Sequence, residues 1–213
     1  WDSFFGYHNF QRFTSVVNNH QEPAWFFVAV LVLASLPFTP LLILSLVQEI
    51  SKAFKNSSTF QKGEPNESLK SFAACWLIAV FLLFTFAATK LPSYWLPATP
   101  AAAILIGLVT RREAEERHGG LLCTAWILSA LIALTLAISL AFAPHWLFPI
   151  IQDPEMPSLG QDLASSGLAL RGTFLLGFTA LFGFLMTWRK LPGRLLMMQW
   201  PLVFLQLFVF LPL

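Results

Sequence analysis

Lys90 stands in the stretch Thr89-Lys90-Leu91-Pro92-Ser93-Tyr94-Trp95-Leu96-Pro97, a tight connection between two apolar runs with almost no polar residue around it. Desolvating an ion is expensive, so a charge in such a place is kept where it is paired, hydrated or used. Pro92 and Pro97 disfavour a regular helix and leave backbone groups unpaired, while Tyr94 and Trp95 suit a boundary with one wet and one apolar side. A cation, a phenol and free backbone donors thus converge, and the set suits an anionic headgroup. The plain alternative is a Lys reaching for water beside a belt Tyr and Trp. A second cluster lies near the start. His8 and Arg12, four residues apart, share one face of a helix, and an Arg fork with a His N–H can hold a phosphate. The plain alternative there is a lone lipid-anchoring Arg.

Other chemistry finds little support in the sequence. His8, His20, Asp2 and Glu22 match no metal-ligand spacing, so neither a metal nor a cofactor is expected. There is no Gly-rich phosphate loop, nucleophile elbow or His-Glu-x-x-His pair. Cys75 and Cys123 lie in apolar runs and read as small buried hydrophobes. Asp153, Glu155 and Asp162 sit among prolines and a glycine, where acids most often keep a loop wet.

The elements that must position these residues follow from composition. Of 213 residues, 56% are hydrophobic and only 11% charged, and the mean hydropathy is +0.67. An ordinary soluble domain has about 25% charged residues. The net charge of +2 is too small and too dispersed for a nucleic-acid-binding face, so lipid is the expected partner and nucleic acid is not. Apolar runs of about 18 residues or more span a hydrocarbon core about 30 Å thick. They recur at about 24–47, 71–89, 94–109, 121–143, 172–188 and 195–212. Each run is continuously apolar rather than alternating, which predicts helices and not a barrel. The expected fold is therefore all-α, a polytopic transmembrane helical bundle of about six spans.

Ten of the thirteen Lys and Arg residues fall on alternate connections, including Lys52, Lys55, Lys62 and Lys70, then Arg111, Arg112 and Arg117, then Arg189, Lys190 and Arg194. Only Arg12, Lys90 and Arg171 stand opposite. The bias predicts a multi-pass protein of the plasma (inner) membrane with both ends extracytoplasmic. Residues 1–23 then form an extracytoplasmic amphipathic segment, with Phe5, Phe10 and Phe13 on one stripe. Residues 24–110 hold three spans with a cytoplasmic loop at 48–70, residues 111–120 a cytoplasmic connector, and residues 121–213 three more spans with an extracytoplasmic loop at 144–171. Leu36-Pro37-Phe38-Thr39-Pro40 echoes Leu96-Pro97-Ala98-Thr99-Pro100, the first in the middle of a span and the second opening one. Unmatched flanks make this a shared local need for a bend rather than a repeat. The chain opens at Trp1 and closes inside an apolar run, so a piece of a longer protein is expected.

Asn9-Phe10-Gln11-Arg12-Phe13-Thr14, then His20, Pro23, Trp25-Phe26-Phe27 and Leu36-Pro37, and finally Lys90-Leu91-Pro92-Ser93-Tyr94-Trp95-Leu96-Pro97 together resemble the polyprenyl-phosphate-sugar glycosyltransferases. These are the protein O-mannosyltransferase and aminoarabinose transferase relatives of the membrane-embedded GT-C class. The resemblance covers about residues 1 to 110. It implies transfer of a sugar from a polyprenyl-phosphate donor to a lipid or protein acceptor on the extracytoplasmic side. It also implies that Arg12, Lys90 and Tyr94, with His8 as a further substrate-binding position, hold the donor phosphate. The acidic base of the family has no counterpart here, so no catalytic residue is assigned, and this stretch alone is expected to be inactive. Two other readings stay open: a transporter or flippase of a lipid-linked substrate, and a non-catalytic structural membrane subunit. Paired broken spans would favour the transporter.

Overall fold

The computed structural model describes residues 22–23, 25–55, 65–115, 120–151, 156–189 and 194–205. The amphipathic segment expected over residues 1–23, with Arg12 and His8, lies outside these apart from its last two residues. Every regular element among the described residues is helical. The chain divides into two units, Trp1–Arg112 and Glu113–Leu213.

In the first unit, α1 (Phe26–Ala34) and α2 (Thr39–Lys55) meet at a bend of 116°. The run at 24–47 is therefore not one straight span, and the first Leu-Pro-x-Thr-Pro opens a helix just as the second does. Thr39-Pro40 starts α2, and Thr99-Pro100 starts α4 (Thr99–Glu115), each 17 residues long. The reason lies in the backbone: proline has no N–H to give to the preceding turn, yet it fits the first turn of a new helix, where that donor would be idle. At the end of α1, backbone and side-chain donors share the carbonyls: Leu31 accepts the Ser35 N–H at 3.2 Å and Leu33 the Leu36 N–H at 3.3 Å. Ser35 Oγ donates to the Leu31 carbonyl at 2.6 Å and Thr39 Oγ1 to that of Val32 at 2.9 Å, and the two hydroxyls lie 3.0 Å apart. Both residues are buried, so these bonds stand where water could not.

α3 (Pro65–Phe86) returns alongside α2 and ends before the 3-10 helix Pro92–Ala98, which runs into α4. The connection read at 48–70 is thus shorter, because α2 continues through Lys55 and α3 begins at Pro65. Several residues assigned to that loop instead form a polar seam between the two helices. Lys70 Nζ lies 3.5 Å from Glu49 Oε1 and donates to Gln48 Oε1 at 2.9 Å, while Ser71 Oγ donates to Glu49 Oε2 at 2.8 Å. Lys52 pairs with Glu67 farther along the seam. The Lys70 and Glu49 side chains are only 3% and 7% exposed, so the ammonium counted above among the wet charges is a buried ion.

In the second unit, α5 (Gly120–Trp146) packs along α7 (Leu168–Trp188), and α7 against α8 (Arg194–Leu205). Between α5 and α7 lie a 3-10 turn, Phe148–Ile150, and the short α6, Leu159–Ser165. The segment expected as a loop over 144–171 therefore contains helical turns. The α5–α7 seam is made of small residues. Ala125, Ser129, Ala130, Ala133 and Ala137 of α5 are buried, as are Gly172, Thr179, Ala180 and Gly183 of α7. With no hydrophobic drive between helices in lipid, such residues let backbones approach and gain dispersion contact. At Gly183 the approach is tightest, since a Cβ there would lie 2.9 Å from Ala130 Cβ and 2.9 Å from Met198 Cε. The methionine can turn aside but the alanine Cβ cannot. Gly183→Val is expected to lower stability by about 1–3 kcal/mol through overpacking, read as a fall in the unfolding midpoint in detergent. Gly177→Ala, where a Cβ meets nothing within 4 Å, serves as the neutral control.

Among the described residues, Glu67–Phe86, Pro92–Thr110, Gly120–Trp146 and Leu168–Trp188 are long and apolar enough to cross a membrane. The bent α1–α2 pair brings the number of spans to five if it counts as one. The sixth expected run is described only as far as Leu205. Neither cysteine is a buried core residue as expected: Cys75 is exposed and Cys123 half-buried. Both lie on span-forming helices, where exposed surface faces apolar surroundings.

Candidate functional site

Lys90 lies four residues beyond the end of α3, held by its own side chain. Its Nζ donates to the Ala87 carbonyl at 3.1 Å, one of the acceptors that a helix end leaves without a partner. An ammonium has three donors, and one hydrogen bond among the described residues leaves capacity for an anion. Ala87 and Thr89 just before it are buried, which fixes the backbone from which the half-exposed Lys90 reaches out.

Tyr94 belongs to the 3-10 helix that the Lys-Leu-Pro motif starts. Leu91 is extended, Pro92 occupies the first turn, and Tyr94 N–H donates to the Leu91 carbonyl at 3.1 Å. The prolines expected to prevent a regular helix stand in this tighter, short one, Pro92 in the first turn where its missing N–H is not needed. The phenol ring stacks on Phe84 of α3 with centroids 4.8 Å apart, and Phe84 lies 6.2 Å from the ring of buried Phe27 on α1. Three elements are thus tied by one row of aromatic rings, and the row sets the orientation of the tyrosine.

Phe26 and Trp95, the sequence neighbours of Phe27 and Tyr94, line an opening. Phe26, Ala29, Leu33 and Ala34 of α1 face Pro92, Trp95, Leu96 and Thr99 across an open groove of about 520 Å³. Its walls are almost wholly apolar, with the Thr99 hydroxyl the main polar exception. The groove is bounded by the segment just before the first Leu-Pro-x-Thr-Pro and by the second, so the bend at Ser35–Thr39 sets the angle of one wall. This groove is what sequence reasoning missed. The proline pairs marked both bends, but nothing in the spacing showed that their two ends face each other.

Of the residues expected at the site, Lys90 and Tyr94 belong to the short segment whose Pro92, Trp95 and Leu96 line this groove but do not line it themselves, while Arg12 and His8 lie outside the described residues. Among the described residues no group of three or more His, Cys, Asp or Glu is arranged to hold a metal ion. Tyr94 carries two separable roles. Tyr94→Phe keeps the ring on Phe84 and is expected to leave the unfolding midpoint near that of the parent. Tyr94→Ala removes a stacked pair worth about 0.5–1.5 kcal/mol beyond its area burial and is expected to lower that midpoint. A loss of donor binding in Tyr94→Phe alone isolates the hydroxyl.

Comparison with known proteins points the same way. Three similar proteins are named undecaprenyl phosphate-alpha-4-amino-4-deoxy-L-arabinose arabinosyl transferases. The one from Proteus mirabilis is 30% identical over 106 residues, half of this chain and 17% of that protein. The one from Sodalis glossinidius is 30% identical over 143 residues, 64% of this chain and 24% of that protein. The one from Edwardsiella ictaluri is 28% identical over 188 residues, 86% of this chain and 30% of that protein. The chain is similar to the polyprenyl-phosphate aminoarabinose transferases. It spans less than a third of the length of these transferases, as expected of a piece of such a protein. Aminoarabinose rather than mannose is the sugar in their names. No protein-family model matches the chain, and no solved structure matches it.

Proposed function

We propose that this chain is part of an integral membrane glycosyltransferase that moves a sugar from a polyprenyl-phosphate donor to a lipid or protein acceptor at the extracytoplasmic face. The sugar class is an aminopentose, as in the names of the similar transferases. The observation that carries the reading is the Lys90 ammonium held on the end of α3, in the same short segment as the apolar groove and the stacked Tyr94. A groove with apolar walls suits an isoprenoid chain, and the cation two residues before its Pro92 wall suits the phosphate to which that chain is attached.

In this reading Lys90 and Arg12 hold the donor phosphate, the Tyr94 hydroxyl donates a further hydrogen bond, and His8 assists from the same side as Arg12. During transfer the bond between the anomeric carbon and the phosphate oxygen breaks, and its electron pair returns to the phosphate. An acceptor hydroxyl oxygen forms the new bond to the anomeric carbon and gives up its proton to a base outside this stretch. Fixed cations in a poorly hydrated pocket stabilise the returning charge more in the transition state than in the bound donor, and that difference accelerates the step.

The bent α1–α2 pair is the observation that favours a second reading, transport of a lipid-linked substrate. One experiment separates the two. The intact protein is reconstituted in vesicles with a polyprenyl-phosphate aminopentose labelled in the sugar, together with an extract of acceptors. Label recovered on an acceptor, with free polyprenyl phosphate left behind, supports the transferase. Intact donor recovered in the opposite leaflet, with no label transferred, overturns it.

A further inference from the structure

Along α7, Arg171, Phe174, Phe178 and Leu181 are spaced three, four and three residues apart, so they lie on one stripe of the helix. The last three line an open groove of about 400 Å³ against α5. Its floor is made by Ala137, Ala141 and Gly177, and its walls by Phe142, Phe174 and Phe178. The small floor residues are what create the hollow.

Arg171 continues this stripe at the start of the helix. It is exposed, and its guanidinium has no ion-pair or hydrogen-bond partner among the described residues. The nearest acid in sequence among them, Asp162, accepts a hydrogen bond from Ser158 Oγ at 2.8 Å. A cation in the first turn of a helix is also opposed by the backbone dipoles, which favour an anion there. From Arg171 to Leu181 the helix rises about 15 Å, half of a hydrocarbon core about 30 Å thick. The stripe is therefore as long as one leaflet is deep.

We propose that the α5–α7 groove seats one acyl chain of a membrane phospholipid whose anionic phosphate headgroup is held by Arg171. The apolar length fits a chain of a single leaflet, the hollow has the width left by three small residues, and the positive charge at its mouth complements a phosphodiester. This site is independent of the donor reading above, since it uses none of Arg12, Lys90 or Tyr94.

The test uses the intact protein reconstituted in equimolar phosphatidylglycerol and phosphatidylcholine with identical acyl chains, followed by detergent extraction and native mass spectrometry of retained lipid. The parent is expected to keep phosphatidylglycerol in preference. Arg171→Gln is expected to reduce that preference about fivefold, the effect of one cation at a membrane surface. Gly177→Leu places its side chain in the groove, where a Cβ meets nothing within 4 Å, and is expected to abolish retention of both lipids. Unfolding midpoints check that each variant is folded, and Arg171→Gln, at an exposed position, decides the matter if the leucine variant is not. Absence of a preference in the parent overturns the proposal, as does retention unchanged by Arg171→Gln. An unchanged result for a folded Gly177→Leu overturns the groove as the seat. A photoreactive residue at position 177 that joins to another part of the protein instead of to lipid overturns it as well.

Discussion

Replacing Lys90 by alanine in the intact protein is expected to lower sugar transfer about a hundredfold or more, the usual cost of removing one preorganised group that stabilises developing charge. Insertion and yield should stay close to those of the parent. The geometry makes this a sharp test, because Lys90 also has a purely structural task. Its ammonium closes the end of α3 on the Ala87 carbonyl at 3.1 Å. Were that the whole of its role, alanine would cost about 1 kcal/mol of stability and leave transfer intact. A large fall in transfer with a small shift in unfolding midpoint supports phosphate binding; a shift in midpoint with normal transfer refutes it. Lys90→Arg keeps the charge but spreads it over a planar fork, so partial activity is expected. Arg12→Ala should fall in the same direction. If both cations grip one phosphate, the double variant should be little worse than the more damaged single one.

The second large effect lies in the seam between α2 and α3. Removing one partner of a buried ion pair strands the other in a poorly hydrated place, which costs about 3–5 kcal/mol. Glu49→Leu leaves the Lys70 ammonium with only part of its former company, and Lys70→Met leaves the Glu49 carboxylate with Ser71. Either is expected to lower the unfolding midpoint in detergent steeply and to reduce the amount of protein inserted. The double substitution Glu49→Leu with Lys70→Met removes both charges and should recover most of the loss, since apolar side chains of similar size are often as good as the pair they replace. Equal losses in the single and double variants would show that the two residues do not act as a pair.

Sequence carried the class of this protein well, because the property that defines it, long apolar runs too poor in charge for water, is local and additive along the chain. Helices at 71–89, 121–143 and 172–188 are found close to where hydropathy puts them. The ends were harder to read. Polar residues such as Gln48, Glu49 and Lys70 look alike whether they face water or each other, so a seam two turns deep passed for a loop. Opposite charges on two successive spans, Glu49 and Lys70, were the signal available, but pairing them needs the register of the hairpin. The same holds for the site. Lys90 and Tyr94 were marked by their chemistry and by a recognisable motif, whereas the groove beside them depends on a bend 50 residues earlier in the chain. A proline pair announces that a helix will break; the angle depends on which side chains take up the freed carbonyls.

That angle has a consequence for the width of the groove. Because the Thr39 hydroxyl satisfies the Val32 carbonyl and the Ser35 hydroxyl adds a second donor at that of Leu31, the elbow keeps its shape without solvent and without a bulky wedge. Leu33 and Ala34 stand just before that elbow, so the calibre of the groove they help to line is inherited from two small alcohols.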